Sequence, residues 1–309
     1  MVKTIGAYRL LTPLVTAGSG SARWAIASRG GERFFLKEFL SPVYPPAGGN
    51  PVLRKKQLQR CEAFEIRKQR LYSAMSCVIG DTLVPVVDFF RYEGRYYSIS
   101  EEIPQSEMQQ YDPEAFSAAE KRELLLSVAL CLQRLHKQDV VHADLKPEHI
   151  LLRRSLDSVE ARLIDLDSGF LLSEPPQAGE MEGDPVYLAP EAFLRMAGED
   201  VQVGAAIDTF AFGALIHFFW TGSLPEVDET CHYLYEAALS SASIQLNPAL
   251  PREYRGIVHR MLDADPDKRP SDGELVRLLS RNADDSDEPQ ALPRREDKPL
   301  NGLSRFMRK

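Results

Sequence analysis

Between Tyr8 and Phe39 the apolar residues come in short runs set apart by glycine and charge: Tyr8–Val15, Arg23–Ser28 and Arg33–Phe39. Runs of that length around turn residues predict a meander of β-strands. The segment Ser41–Pro51 is dense in proline and glycine and is expected to be a connection rather than regular structure. A charged helix is expected over Val52–Met75, followed by strand-like runs at Leu83–Tyr92 and Arg95–Ile99. The period then changes. Ser117 and Glu120 form an S-x-x-E capping box ahead of Leu124, Leu125, Val128, Leu132 and Leu135, which recur at helical spacing. Further apolar helices are expected over Asp208–Thr221, Arg252–Leu262 and Asp272–Ser280. Strands first and helices afterwards give an α+β chain.

Composition narrows the function. A chain of 309 residues, 44% hydrophobic and 27% charged, can fill one large core or two lobes. A net charge of -8 speaks against a binder of phosphate backbones, so no nucleic-acid partner is expected. Cys61, Cys77, Cys131 and Cys231 stand far apart without C-x-x-C spacing, which points to a reducing, cytoplasmic setting. The apolar stretch Phe210–Trp220 is half of what a bilayer needs and contains His217, and the first residues lack an export signal. No membrane association is expected. Beyond Arg281 the chain is acidic at Asp284, Asp285, Asp287 and Glu288, then basic at Arg294, Arg295 and Lys298. Such a tail is expected to be disordered and is a candidate docking segment for a partner.

The chemistry concentrates in the second half. Val141-His-Ala-Asp-Leu-Lys-Pro-Glu-His-Ile-Leu-Leu152 resembles the catalytic loop of protein kinases, H-R-D-L-K-P-x-N, with Ala143 for Arg and His149 for Asn. The resemblance implies that Asp144 faces the substrate hydroxyl and that Lys146 offsets charge on the transferred phosphoryl group. The D-x-K spacing is that of Ser/Thr kinases. Asp165 lies 21 residues after Asp144, in Leu163-Ile-Asp-Leu-Asp-Ser-Gly169, which resembles the D-F-G segment. It implies that Asp165 holds the metal bridging the phosphates, with Asp167 standing where that segment has glycine. Gly183-Asp-Pro-Val-Tyr-Leu-Ala-Pro-Glu191 resembles the end of an activation segment, and Arg269 stands where the family has a structural partner for Glu191. Asp208 matches an aspartate that braces the catalytic loop.

The amino-terminal matches are looser. Lys37, at the end of Phe34-Phe-Leu-Lys37, takes the place of the lysine that binds the α and β phosphates. The turn Thr16-Ala-Gly-Ser-Gly-Ser-Ala-Arg-Trp24 resembles a degenerate Gly-rich loop, which implies that Ala17, Gly18, Ser19 and Gly20 lie over the phosphates. Glu62 and Glu65 are both candidates for the helix carboxylate that pairs with Lys37. Glu65 is preferred, although the apolar phase of Leu71, Tyr72 and Met75 puts Lys68 at the expected place. Tyr96–Ile103 resembles the strand into the hinge, where the backbone of Glu101 to Ile103 meets adenine and Glu107 reaches the ribose.

The resemblance covers residues 8 to 280 in the family's order. It implies a bilobal protein-kinase-like fold with a small β-rich lobe over 1–104, a larger helical lobe over 105–280 and a tail over 281–309. The implied activity is transfer of the γ-phosphoryl group of ATP to a Ser or Thr hydroxyl of a protein substrate. The implied cofactors are ATP and Mg²⁺ or Mn²⁺, with Asp165, His149 and Asp167 as the expected metal ligands. Imidazole at His149 suits Mn²⁺ better than Mg²⁺. Two rivals remain. The altered residues Ala143, His149 and Asp167 also suit a pseudokinase that binds nucleotide without turnover. A small-molecule phosphotransferase of similar fold fits less well, because Ala189-Pro-Glu191 and Arg269 build a platform for protein substrates.

Overall fold

The computed structural model describes residues 3–16, 22–78, 82–103, 111–154 and 158–281. The expected phosphate turn at Ala17, Gly18, Ser19 and Gly20, the ribose contact at Glu107 and the tail from 282 onward lie outside the described residues. The protein has two lobes. The small lobe is an antiparallel sheet of β1 (Thr4–Ile5), β2 (Tyr8–Leu10), β3 (Val15–Thr16), β4 (Ala22–Arg29) and β5 (Glu32–Phe39), completed after helix α1 (Pro51–Ser76) by β6 (Val86–Tyr92) and β7 (Arg95–Glu101). The strands run in the order β1-β2-β4-β5-β7-β6, with β3 also on β4.

The period-2 alternation of β5 sorts its side chains. Phe34 and Leu36 join Ile5, Tyr8, Ala27, Tyr97 and Ile99 in one apolar cluster, whereas Phe39 packs with Tyr96, Cys61 and Phe64 between sheet and helix. Lys37 shares the Phe39 face and stands opposite Ser98, so the sheet directs it toward α1 and the cleft. The expected single strand Tyr8–Val15 is broken. Leu11 and Thr12 both donate to the carbonyl of Ile26, a two-against-one bulge, and Pro13 has no N–H to continue the ladder.

The large lobe holds α2 (Ala118–Lys137), β8 (Val140–Val141), β9 (Ile150–Arg154), β10 (Val159–Leu163), β11 (Phe170–Leu171), α3 (Pro190–Met196), α4 (Ala206–Thr221), β12 (Glu226–Val227), α5 (Leu234–Ser240), β13 (Ile244–Gln245), α6 (Arg252–Met261) and α7 (Asp272–Arg281). The capping box forms as the sequence reads: Ser117 Oγ accepts from Glu120 N at 3.3 Å, and Glu120 Oε2 accepts from Ser117 N at 2.7 Å. Helix α4 is buried along nearly its whole length, from Ile207 to Phe219. Each fully buried Leu, Ile or Phe there contributes about 1.5 to 3 kcal/mol of burial free energy. Helix α1 serves both lobes. Cys61 and Phe64 pack under the sheet, while Leu71, Tyr72 and Met75 join the core of the large lobe. No helix among the described residues is long and apolar enough to cross a membrane.

Candidate active site

The loop from His142 to His149 is held from below by one buried carboxylate. Asp208, in the first turn of α4, accepts the backbone N–H groups of His142 and Ala143, each at 2.8 Å. Those bonds hold Ala143 at φ 63°, a left-handed conformation that costs a non-glycine residue about 1 to 2 kcal/mol. Asp208 is itself fully buried, and His136 meets it through Nε2 at 2.9 Å while Nδ1 meets Asp272 at 2.9 Å. Burial alone pushes the His136 imidazole down, but its bonds to Asp208 and Asp272 win and raise its pKa to about 9. A cationic histidine thus pins two carboxylates beneath the loop.

Above that brace, Asp144 is fixed at both oxygens. Its Oδ1 accepts the backbone N–H of Asp184 at 3.0 Å, and its Oδ2 lies 3.1 Å from Lys146 Nζ. Lys146 also donates to Asp184 Oδ2 at 3.4 Å. Burial works against the ammonium of Lys146, yet the carboxylates of Asp144 and Asp184 hold its pKa above the usual value. The fold brings the expected Asp144 and Lys146 together, and adds Asp184 and His136, which no sequence motif singles out. Asp184 stood in Gly183-Asp-Pro as one more acidic residue of the segment, and only the fold brings it to Asp144.

The second carboxylate arrives on the β9–β10 hairpin, where Leu163 pairs with Ile150 and Ile164 N donates to His149 O at 3.0 Å. Asp165 follows at φ 60°, with both its oxygens 2.9 Å from Lys37 Nζ. Burial would raise its pKa, but the Lys37 charge dominates the opposing effects and Asp165 drops to about 2. His149 Nδ1 lies 2.7 Å from the carbonyl oxygen of Asp144, and a carbonyl can only accept, so Nδ1 carries the proton. In the neutral ring this leaves the Nε2 lone pair 3.7 Å from Asp165 Oδ2. Among the described residues no three His, Cys, Asp or Glu side chains gather closely enough to hold a metal alone. A cation that arrives with phosphate oxygens needs only one or two protein ligands, and the ionised Asp165 beside the Nε2 of His149 fits that demand.

Two expectations need correction. Glu65 does not reach Lys37; it lies 3.8 Å from Arg91 Nη1, and Glu62 is exposed. The buried stripe of α1 runs Cys61, Phe64, Lys68, Leu71, Tyr72 and Met75, a three-and-four spacing that turns Lys68 inward and Glu65 aside. Asp167 is likewise engaged elsewhere than at a metal: Oδ2 lies 2.5 Å from Lys37 Nζ and Oδ1 3.6 Å from Lys68 Nζ. Its backbone is outside the left-handed region, so a side chain sits there without strain. The glycine that the turn does require is Gly169, where a Cβ would come within 3.0 Å of the Leu166 and Val141 carbonyl oxygens. At the hinge, Glu101 ends β7 and its side chain pairs with Arg162 at 3.0 Å across the lobes, with the half-buried Ile103 just beyond the strand.

Farther from the cleft, Arg269 grips Glu191 with two bonds of 2.6 and 2.8 Å, both side chains buried, and adds a bond to the Ala206 carbonyl at 2.8 Å. Breaking such a pair strands a buried charge at about 3 to 5 kcal/mol, so α3 and α4 are held together here. The protein kinase domain family matches residues 53–279. The serine/threonine-protein kinase pkn2 of Myxococcus xanthus is 28% identical over 293 residues, covering 89% of this chain and 32% of its own. Protein kinase kin1 of Schizosaccharomyces pombe is 24% identical over 285 residues, 89% of this chain and 30% of its own. The human serine/threonine-protein kinase ULK3 is 30% identical over 150 residues, 48% of this chain and 30% of its own. The chain thus spans about a third of the length of these relatives. With the match running from the first turn of α1 to the last turns of α7, the chain belongs to the protein kinase domain family.

Proposed function

We propose that the protein is an ATP-dependent Ser/Thr protein kinase that transfers a γ-phosphoryl group to a hydroxyl of a protein substrate. The observation that carries this reading is the pinned Asp144, whose Oδ1 is fixed by the Asp184 N–H while Oδ2 stays beside Lys146 at the mouth of the cleft. Asp144 would accept the hydroxyl proton as the substrate oxygen bonds the γ-phosphorus and the bond to the departing ADP breaks, and the Lys146 ammonium would offset charge on the transferred group. Lys37 would orient the phosphates, and Asp165 with His149 Nε2 would hold the cation. When bound, the metal nucleotide supplies a phosphorus whose negative shell is screened enough to be attacked. By the family resemblance, backbone groups of Glu101 to Ile103 would receive the base. The Ser/Thr choice rests on the D-x-K spacing of Asp144 and Lys146 and on the names of distant relatives.

A pseudokinase is the second reading, favoured by His149 and Asp167 in the two metal motifs. Radiolabelled transfer from ATP to one basic and one acidic protein substrate separates them. We expect transfer by the wild type and its loss in Asp144→Ala and Asp165→Asn, with stability changed by less than about 2 kcal/mol. ATP binding without transfer in the wild type would establish the pseudokinase.

A further inference from the structure

We infer that Asp167 and Lys68 act together as the positioning pair of Lys37, a charge-reversed replacement for the helix glutamate that the sequence led one to seek. The inference rests on the reading of Lys37 as the phosphate-orienting lysine. Lys68 is only 4% exposed and lies in the middle of the apolar stripe of α1, where an ammonium needs a strong reason to be. Its Nζ stands 5.3 Å from the Phe39 ring centre, 5.9 Å from Phe64 and 5.7 Å from Tyr72, so aromatic faces surround the charge. The tip donates to the Asp167 carbonyl at 2.7 Å and lies 3.6 Å from the Asp167 carboxylate, whose other oxygen is 2.5 Å from Lys37.

The carboxylate that positions Lys37 therefore comes from the metal motif and not from α1. The helix contributes the opposite charge, which holds that carboxylate in place. Burial lowers the pKa of Lys68, and the Asp167 carboxylate partly offsets this. Two lysines and two carboxylates balance to zero. Exchanging either Lys68 or Asp167 alone breaks that balance in opposite directions. Glutamate at 68 puts three carboxylates around Lys37, and glycine at 167 leaves the buried Lys68 facing Lys37 with its carboxylate gone.

The test is a swap with K68E, D167G and the double variant, read by nucleotide-free melting temperature, ATP affinity in Mg²⁺, and kcat and KM for ATP. Each single variant is expected to melt at least about 5 °C lower and to lose at least about tenfold in kcat/KM for ATP. The double variant is expected to recover to within about threefold of wild type in kcat/KM, because it rebuilds a carboxylate on the helix beside Lys37. Should K68E fail to fold, K68M, D167N and their double variant replace the set, the double being no worse than the worse single. Additive losses in melting temperature and ATP affinity would overturn the inference. Because those two readouts need no phosphoryl transfer, a wild type that binds ATP without turnover would sink the kinase reading and leave this one to be decided.

Discussion

At the scale of single residues, His149 stands where the family's catalytic loop has asparagine, and this bears on the choice of metal. Its Nδ1 proton is committed to the Asp144 carbonyl, so a neutral ring offers Nε2 toward Asp165 and toward any cation held there. Nitrogen is a poor ligand for hard Mg²⁺ and a better one for Mn²⁺. Activity is therefore expected to be higher with Mn²⁺ than with Mg²⁺, and His149→Asn is expected to move the preference back toward Mg²⁺. Titrating each metal against initial rate, with Mn²⁺ binding followed by electron paramagnetic resonance, checks this. Identical profiles for the two proteins would show that the imidazole has no part in metal binding. Asp167 is committed to two lysines, which leaves Asp165 and His149 as the proposed donors.

At the scale of elements, the brace between α2, α4 and α7 makes a pH prediction. His136 has a folded pKa of about 9 against 6.5 unperturbed, so its contribution to stability is fully present below about pH 6.5 and is lost as pH rises through 9. The loss is on the order of 2 to 3 kcal/mol. Melting temperature is expected to fall between pH 6.5 and 9, and the fall is expected to be flatter in His136→Gln. A wild-type profile parallel to that of the variant would show that His136 is not cationic in the fold. Long elements such as α2 and α4 were legible because periodicity or a cap announced them, whereas the seven-residue α3 and α5 are too short to carry a period. In the candidate site, Asp144, Lys146, Asp165 and Lys37 are the residues that motif spacing makes legible. The phase of α1 points Lys68 inward, but a buried lysine makes sense only with Asp167 beside it. Nothing local could show that Asp184 or His136 would fold back against the loop.

At the scale of the whole molecule, the segment after Asp165 is tied down without help from phosphate. Glu174 pairs with Arg70 of α1, the Arg195 side chain of α3 bonds the Pro176 carbonyl at 2.9 Å, and Gly179 N donates to the Arg195 carbonyl at 2.8 Å. Ala143 replaces the arginine that commonly grips a phosphorylated residue, and between Asp165 and Glu191 the hydroxyl residues are Ser168, Ser173 and Tyr187, with no Lys or Arg. A phosphate on Ser173 would meet Glu174, which already holds Arg70. The protein is expected to be active after phosphatase treatment, with Ser173→Ala changing the transfer rate by less than about threefold, under ~1 kcal/mol in barrier. Silencing by phosphatase, reproduced by Ser173→Ala, would overturn this.

The Asp167 carboxylate between two lysines also says how the sequence can drift. Either change alone passes through an intermediate with a stranded charge, so selection acts on the two sites as one character separated by 99 positions. Across homologous chains, a basic residue at the position of Lys68 should appear together with an acidic residue at that of Asp167, and glutamate at the first with glycine at the second. Chains that mix the two states freely would show that the sites evolve without regard to each other. If the sites do change together, a missing helix glutamate in this lineage is no sign of a dead enzyme, and inventories that score it so would be counting a displaced charge as a lost one.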